Sequence, residues 1–343
     1  MLAFLDLKNS RKLKARLIEF GFLFVLIAFF YYLANNIKTN INTRHISTGF
    51  AFLNSNAGFP IAETPVLPSG LWESGSLFHE YETGSSTYFT ALSTGLANTI
   101  KACFAAFFIA GTLGIVLGLL QWRGSNSIRK LIAFLFGILR SAPLVLQLIF
   151  CYMVILKILP QVSDGLVWFN SIYLNNRGFF FPFWVNGNIE VPTLTFGGRN
   201  ITGGYSFSPE FLALSFSLGM YSSTYIADIV CSSLKSVAKG QNEAALALGL
   251  SKQQSLRYIL APQALTMARP NFINQAVSLV KNSALGVSIG YPELMSVGGT
   301  TMNQSGQALE IVIIWMSSYL LINLLLSAIN FLFSKKAYGP IEK

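Results

Sequence analysis

The sequence predicts an all-α integral membrane protein with about six transmembrane helices. Hydrophobic residues make up 52% of the 343 residues, and charged residues make up only 11%. A soluble protein of this length carries roughly a quarter charged residues. The mean hydropathy is +0.53. Six segments contain the roughly 20 mostly apolar residues that a helix needs to cross a bilayer, namely about 17–34, 95–120, 130–159, 210–231, 271–290 and 309–333.

Three of these segments have distinguishing features. The first follows a basic leader, so a cleaved signal peptide is an alternative, although the run YYLANNIKTN gives a poor small-residue cleavage site. The third is long, and Pro143 inside it predicts a break in the helix. The fifth is diluted by six polar residues, which are Asn271, Asn274, Gln275, Ser278, Lys281 and Asn282. A helix this polar needs one face against protein or a water-filled path.

The placement of positive charge predicts the orientation of the chain. Basic residues cluster in the stretches 8–16, 123–130, 235–269 and 335–343. The intervening loops contain only Lys38, Arg44, Arg177 and Arg199. By the positive-inside rule, both termini and the loop 232–270 are cytoplasmic, which agrees with an even number of spans. The net charge of +10 therefore follows membrane topology, and no nucleic-acid partner is expected.

Two long loops lie on the opposite side in this prediction. Residues 35–90 are rich in Asn, Ser, Thr, Gly and Pro. Residues 160–208 contain Trp168 and the run FFFPFW at 179–184. Aromatic residues of this kind commonly lie at the membrane interface, so we expect short amphipathic segments on the outer surface. A small folded cap is the alternative.

The residue types that enzymes and metal sites need are scarce. Cys103, Cys151 and Cys231 lie in apolar runs without a CxxC pattern, and His45 and His79 lie in the predicted loops. We expect no metal site, no cofactor and no catalytic residues. The phosphate-binding pattern G-x-x-x-x-G-K-[ST] is missing from the sequence. If ATP drives this protein, another chain binds it.

The predicted cytoplasmic loop reads as a helix, a turn and a second helix. Strong helix formers run from Asn242 to Leu248, and Gly249 follows, where a glycine can adopt the left-handed conformation that closes a helix. Ser251 and Gln254 form a capping-box pattern for the next helix. We expect that helix to reach about residue 261 and to end at Pro262.

This loop resembles the EAA loop of ABC importer permeases. The pattern is Glu243-Ala244-Ala245, Gly249 after three residues, Ile259 after nine more, and then Ala261-Pro262, where the family has Leu before the proline. An ordinary amphipathic hairpin on the membrane surface is the alternative. The resemblance covers roughly residues 88–335 and is nearest to polar amino-acid permeases of the general L-amino-acid subclass. The matching runs are GLANTI, RSAPLVLQL, STYIADIV, KGQNEAALALGL, PQAL and VKNSALGVSIGYPEL.

The resemblance implies a five-helix permease core preceded by one extra helix. Residues 1–87 would form the N-terminus, extra helix and outer loop, and 88–335 the permease domain with an insertion at 160–208 and a coupling loop at 239–265. The remaining 336–343 would be a cytoplasmic tail. The coupling residues toward a cytoplasmic ATPase would be Glu243, Ala244, Ala245, Gly249 and Pro262.

The resemblance also implies partners and a location. The chain would be a non-enzymatic subunit in a bacterial inner membrane, in contact with lipid. It would pair with a second, probably non-identical permease, with ABC ATPases inside and with an extracytoplasmic substrate-binding protein outside, and would move an amino acid.

Charged residues within spans are costly and are candidates for function. Arg140 and Lys281 lie about ten residues into their spans and could meet a substrate carboxylate, while Asp228 could meet its ammonium group. The alternative is an internal ion pair that holds helices together. The further candidates for the substrate path are Ser141, Gln147, Tyr225, Asn282 and Ser283. Asp228 and Cys231 stand where the family usually has Glu and Arg, which leaves the charge preference open.

Other functions stay open at this point. The same class of permease could carry an osmolyte, an opine or a peptide. An ion-coupled carrier or channel would transport without ATP and needs no cytoplasmic docking surface. A membrane-embedded enzyme, such as a lipid-modifying transferase, needs a catalytic constellation that we do not find in the sequence.

Overall fold

The computed structural model describes residues 2–44, 48–64, 67–68, 78–79, 81–185 and 188–337. His45 and residues 338–343 of the predicted tail lie outside these ranges. The chain divides into two compact units, Met1–Phe50 and Ala51–Lys343. The first unit is mainly one helix, α1 (Leu2–Arg44). Within its stretch Leu17–Thr43, an 18-residue window has a mean hydropathy of 2.2 and buries none of its side chains in protein, as expected of a helix that faces lipid.

The second unit is built around two long helices, α2 (Tyr88–Arg123) and α5 (Pro209–Ser236). They run parallel and in close contact because small residues face the partner helix. Every fourth residue of α2 is small and buried, namely Ala102, Ala106, Ala110, Gly114 and Gly118. A Cβ on Gly114 would lie 2.5 Å from Ile226, and one on Gly118 would lie 2.7 Å from the Ala227 carbonyl oxygen. Such stripes allow two backbones to approach closely within a membrane.

The predicted break at Pro143 is confirmed. Helix α3 (Asn126–Ser141) ends before it and α4 (Leu144–Ile158) begins after it, and the two axes differ by 98°. Proline has no N–H to donate and its ring disfavours a continuous helix, so the chain turns there. The break leaves backbone carbonyl oxygens without helical hydrogen bonds, and Gln147 satisfies two of them. Its side-chain amide donates to the carbonyl oxygens of Leu139 and Ala142 at 2.6 and 2.9 Å.

The remaining helices follow α5 in order. They are α6 (Lys239–Ala247), α7 (Lys252–Ser255), a π-helical turn (Leu256–Leu260), α8 (Ala261–Ser283), a 3₁₀ segment (Ala284–Ile289), α9 (Leu294–Ser305) and α10 (Ala308–Ala337). Glu293 caps α9 by accepting from the backbone N–H groups of Met295 and Ser296, each at 2.8 Å. The indole of Trp315 on α10 donates to the Leu294 carbonyl oxygen at 3.0 Å, which ties these two helices together.

The loop that precedes α2 packs on this bundle. It contains a 3₁₀ turn (Phe50–Asn54) and a short antiparallel pair, β1 (Leu67–Pro68) with β2 (Phe78–His79). The side chains of Ala57, Phe59 and Ile61 are buried in one cluster with Tyr81 and Tyr88. This polar-rich stretch is therefore anchored by a few apolar residues.

Residues 166–207 form β-strands, and we call this segment the β insertion. The strands are β3 (Leu166–Trp168), β4 (Ile172–Asn175), β5 (Gly178–Phe181), β6 (Phe183–Val185), β7 (Asn188–Glu190), β8 (Thr193–Thr195), β9 (Asn200–Thr202) and β10 (Tyr205–Phe207). A four-stranded antiparallel sheet has the order β10-β5-β4-β3, and β6–β7 and β8–β9 form separate hairpins. The expectation of amphipathic surface segments is wrong here, and the alternative of a small folded cap is confirmed.

The prediction of a helical membrane protein is confirmed, while the count of six spans is not. Among the described residues, three helices are long and apolar enough to cross a membrane, α1, α2 and α10, or four if the bent pair α3–α4 forms one span. Helices α5 and α8 complete the six predicted segments. They carry more polar residues, which lowers their hydropathy. Several of those in α5, such as Ser222, Ser223 and Thr224, are buried within the bundle.

Candidate functional site

Residues 239–262 fold as a helical elbow at the end of the bundle where α5 finishes. Helix α6 closes with two backbone bonds, from Gly249 N to Leu246 O at 3.0 Å and from Leu250 N to Ala245 O at 3.1 Å. This is a Schellman motif, and it requires a left-handed residue at Gly249, whose φ is 85°. The predicted helix and glycine turn are thus confirmed.

The second arm of the elbow begins as predicted. The Ser251 hydroxyl accepts from the Gln254 N–H at 3.3 Å, and the Gln254 side chain accepts from the Ser251 N–H at 2.8 Å, which completes the capping box. Ser255 donates to the Asn242 side chain at 2.8 Å across the elbow. This bond fixes the angle between the two arms.

The predicted end of the second helix at Pro262 is wrong. The helical path continues from residue 252 to Ser283, and Pro262 lies in the first turn of α8. The π-helical turn explains this, because the Ala261 N–H bonds five residues back to Leu256 O and a new helical register starts at that point. A proline is tolerated in a first helical turn, where its missing N–H has no partner to lose.

The predicted coupling residues divide between surface and interior. Glu243 and Ala244 are exposed on α6, whereas Ala245 is 4% exposed and packs inside the elbow. Pro262 lines an apolar cavity of about 460 Å³ between α2, α5 and α8. Leu248, which sequence reasoning did not single out, is 84% exposed at the tip of the elbow. An exposed leucine beside two small residues gives this tip the character of a docking surface.

A second polar cluster joins α3 to α5 within the predicted spans. The Arg140 guanidinium donates to the Asp228 carboxylate at 2.6 Å and to the Thr224 hydroxyl at 3.0 Å. Gln121 of α2 donates to the other Asp228 oxygen at 3.3 Å. The Arg140 guanidinium also lies 4.5 Å from the centre of the Tyr225 ring. Arg140, Tyr225 and Asp228, three of the predicted path residues, are therefore in one place, and the two charges neutralise each other.

The other predicted path residues are more scattered. Ser141 donates to Ile138 O at 3.0 Å near the break after α3, where Gln147 also bonds to backbone. Ser283 is buried and donates to Val280 O at 2.7 Å. Lys281 is exposed, and within the described residues it makes no ion pair or hydrogen bond. Asn282, its neighbour, is half-buried.

Lys281 belongs to a polar stripe along α8. Asn271, Asn274, Ser278 and Lys281 are spaced by three, four and three residues, and all four are exposed. This spacing places them on one helix face. The stripe lies in a segment of membrane-spanning length, so its side chains need protein or water as their neighbour.

A buried ion pair that sequence reasoning missed holds the loop before α2 to the bundle. Glu63, which is 8% exposed, pairs with Lys101 of α2 and accepts from the Ser208 hydroxyl at 2.8 Å. The Lys101 ammonium also donates to the Tyr205 hydroxyl at 3.0 Å and lies 4.7 Å from the centre of the Phe211 ring. No local sequence pattern predicts the contacts of Glu63, because its partners Lys101 and Ser208 lie 38 and 145 residues away in the sequence.

Burial raises the pKa of Glu63 above its ordinary value of 4.5, and the nearby Lys101 charge and the hydrogen bonds from Lys101 and Ser208 oppose that shift. Desolvation disfavours the charged carboxylate, while a neighbouring cation favours it. The net direction is upward, so the folded chain holds a proton at this position more readily than a solvated glutamate does.

A bundle of apolar helices with a helical elbow exposed at one end has the architecture of a membrane transport permease. A family model described as "Binding-protein-dependent transport system inner membrane component" matches residues 110–337, more than half of the chain. The chain belongs to this family. It is therefore a transport subunit and not itself an enzyme, and it is a multi-pass protein of the bacterial inner membrane.

Relatives of similar length support the assignment. The chain is 31% identical to the general L-amino acid transport system permease protein AapQ of Rhizobium johnstonii, over 88% of this chain and 87% of that protein. It is 30% identical to the putative amino-acid ABC transporter permease protein YhdX of Escherichia coli, over 89% of both chains.

Solved structures show the same fold. A crystal structure of an amino acid ABC transporter with histidines superposes with a TM-score of 0.53 at 23% identity, covering 73% of this chain and 95% of that chain. An inward-facing structure of the MetNI methionine ABC transporter gives a TM-score of 0.51 at 15% identity, covering 73% and 98%. Each superposition thus leaves roughly a quarter of the present chain uncovered.

Proposed function

We propose that this chain is the transmembrane permease subunit of an ATP-driven importer for amino acids. The helical elbow is the observation that carries the proposal. It presents a short, rigid helix with small residues and two exposed leucines, Leu246 and Leu248, and the sequence lacks an ATP-binding loop of its own. The amino-acid cargo rests on the relatives, whose names describe amino-acid permeases.

In this proposal the elbow docks in a cytoplasmic ATPase. Glu243 and Ala244 form the exposed face of α6, and Leu248 would fill an apolar groove at its end. Ala245 and Gly249 would support docking without touching the ATPase. Ala245 packs inside the elbow, and Gly249 closes helix α6. Pro262 starts α8, so movement of the elbow would pass directly into that helix. The orientation with both termini inside follows the positive charge.

A second permease subunit and an extracytoplasmic binding protein would complete the complex. The polar stripe of α8 supports a path between two permeases, since those side chains need polar surroundings that the described residues of this chain do not supply. Lys281 would be the cation that meets a substrate carboxylate. Arg140 and Asp228 would contribute to the wall of the path, and they would reach substrate only when their ion pair opens.

The test is Gly249→Asp in the full importer, reconstituted in proteoliposomes with ATP inside. A Cβ at this position meets open space, so the backbone conformation and the added charge are what change. We expect ATP-driven uptake to fall at least tenfold while the chain stays in the membrane with its partner permease.

Gly240→Asp is the matched control, because it adds the same charge in open space at the start of α6, where the helix dipole favours an acid. Normal uptake by Gly249→Asp would contradict the docking role. Uptake by the purified chain alone, without ATP, would instead support an ion-coupled carrier.

A further inference from the structure

Two hairpins of the β insertion each carry a phenylalanine in an unfavourable backbone conformation. Phe169 follows β3 with φ 51°, and Phe196 follows β8 with φ 53°. Hairpin turns with positive φ normally use Gly, Asn or Asp, because a Cβ and a bulky side chain make this conformation costly. The same arrangement thus occurs in two separate hairpins.

Neither phenylalanine is used to fold the insertion. Phe169 is 91% exposed and Phe196 is 79% exposed, and neither ring contacts another aromatic ring of the described residues. Apolar neighbours extend the exposed surface, since Trp184 and its cross-strand partner Ile189 are 63% and 60% exposed. Strained, exposed aromatic residues are typical of sites that bind something else.

The register of the sheet shows which way the first tip faces. One end of the sheet is attached to helices, since Asn176 N bonds to Pro160 O just after α4 and Phe207 directly precedes α5. Strands β3 and β4 run from that end to the Trp168–Ile172 pair, and Phe169 lies beyond it. Four residues of strand place this tip roughly 13 Å from the attached end.

The second hairpin starts from the same remote end. Strand β9 joins β10 through Gly203 and Gly204, and Gly204 packs against Pro192 and the Phe181 carbonyl oxygen. Phe181 pairs with Tyr205 at the end of the sheet away from Phe207. Arg199, exposed next to this tip, adds a cation for which the described residues offer no partner. The combination suits a partner surface with apolar pockets and acidic groups.

We propose that the β insertion is a docking element for the extracytoplasmic substrate-binding protein, with Phe169 and Phe196 as its aromatic anchors. The inference rests on the proposed function. The family is binding-protein-dependent, and α5 separates the insertion from the elbow by 28 residues, about 42 Å of helix. The insertion therefore lies on the face opposite the proposed ATPase. The position of Phe169 beyond the end of the sheet that is remote from the helices favours a partner in water over lipid.

The test uses the complete importer in proteoliposomes and its substrate-binding protein, loaded with an L-amino acid. The variant is Phe169→Asn with Phe196→Asn. Asparagine tolerates positive φ, so the hairpins keep or gain stability. We expect the binding-protein concentration that gives half-maximal uptake to rise at least tenfold, with the maximal rate unchanged. Replacing both residues by tryptophan should retain the wild-type concentration.

Asn176→Ser is the matched control, because it changes the turn at the attached end of the same sheet. Wild-type half-saturation in the double asparagine variant would overturn the docking role. So would a fluorophore on Phe169→Cys that shifts to the blue in lipid before any binding protein is added, since the tips would then be membrane anchors. A wild-type complex without any binding-protein-dependent uptake would instead overturn the proposed function.

Discussion

The Arg140–Asp228 pair shows how a residue can be conspicuous in a sequence for a reason other than ligand binding. Each charge was a candidate for substrate contact because it lies within a span. The two meet at 2.6 Å, and Thr224 and Gln121 complete their hydrogen bonding. An ion pair satisfied in this way joins α3 to α5 and needs no substrate to complete it.

We therefore predict energetic coupling between these two residues. Arg140→Gln and Asp228→Asn should each lower the temperature of thermal unfolding in detergent. The double variant should lower it by clearly less than the sum of the two, because either single change already leaves a charge without its partner. Additive shifts would contradict the pairing and return both residues to the list of free substrate contacts.

Glu63 leads to a prediction about pH. Burial raises the pKa of its carboxyl in the folded chain, so the folded state binds the proton more tightly than the unfolded state. Its favourable contribution is present below the ordinary pKa and is lost as pH rises through the folded value. Between pH 4.5 and 8, the unfolding temperature of the wild type should therefore fall relative to that of Glu63→Gln. A relative rise would mean that the Lys101 charge outweighs burial.

At the scale of elements, the close packing of α2 against α5 depends on glycines, because they have no side chain to separate the two helices. Gly114→Ala should destabilise the protein by roughly 1–3 kcal/mol, because its Cβ would overlap Ile226. Gly111→Ala, three residues earlier in the same helix, meets no atom within 4 Å and should be neutral or slightly stabilising. Thermal unfolding of both variants checks this contrast, and equal effects would show that close packing is not the cause.

The elements that sequence reasoning predicted well are those with local causes. The Gly249 turn, the Ser251 capping box and the break at Pro143 each depend on residues within one or two turns of helix. The continuation of the helix past Pro262 could not be predicted in this way. It depends on a π-helical turn, and no local residue pattern predicts such a turn.

For a related reason, the sequence predicts the β insertion only as an alternative, a small folded cap, and does not indicate its strands. Its strands are three or four residues long, too short to show a clear alternation, and aromatic residues occupy successive positions in β5. Their pairing depends on contacts such as Phe179 with Phe207, which are distant in the sequence. Composition alone could indicate interface aromatics, but it could not distinguish a lipid surface from a folded sheet.

At the scale of the whole molecule, hydropathy predicted the class of protein but not the role of each helix. Helices α1, α2 and α10 have the composition of lipid-exposed spans. Helix α8 has an exposed polar stripe instead. A chain with such a stripe is incomplete by itself, because polar side chains at membrane depth need water or a partner. In the proposed importer the substrate site is likewise incomplete in this chain alone, since one permease would supply one wall of a path.

This incompleteness leads to the last prediction, which concerns water in the assembled importer. In a background without Cys103, Cys151 and Cys231, Asn274→Cys and Ser278→Cys should react with a membrane-impermeant maleimide. Leu324→Cys on α10 is the control, since it is 57% exposed in this chain but lies within an apolar span and should face lipid. A thiol reacts as its thiolate, which forms in water and not in lipid.

The pattern of labelling also separates the possible neighbours of α8. If the stripe lines a path, addition of ATP and the loaded binding protein should change the labelling rate at both positions severalfold, because the path alternates its access. Steady protection at both positions, with and without ATP, would mean that the stripe is sealed against the second permease. Labelling of Leu324→Cys at the same rate would mean that the exposure of α8 has no special cause, and the proposed path would then have to lie elsewhere on the chain.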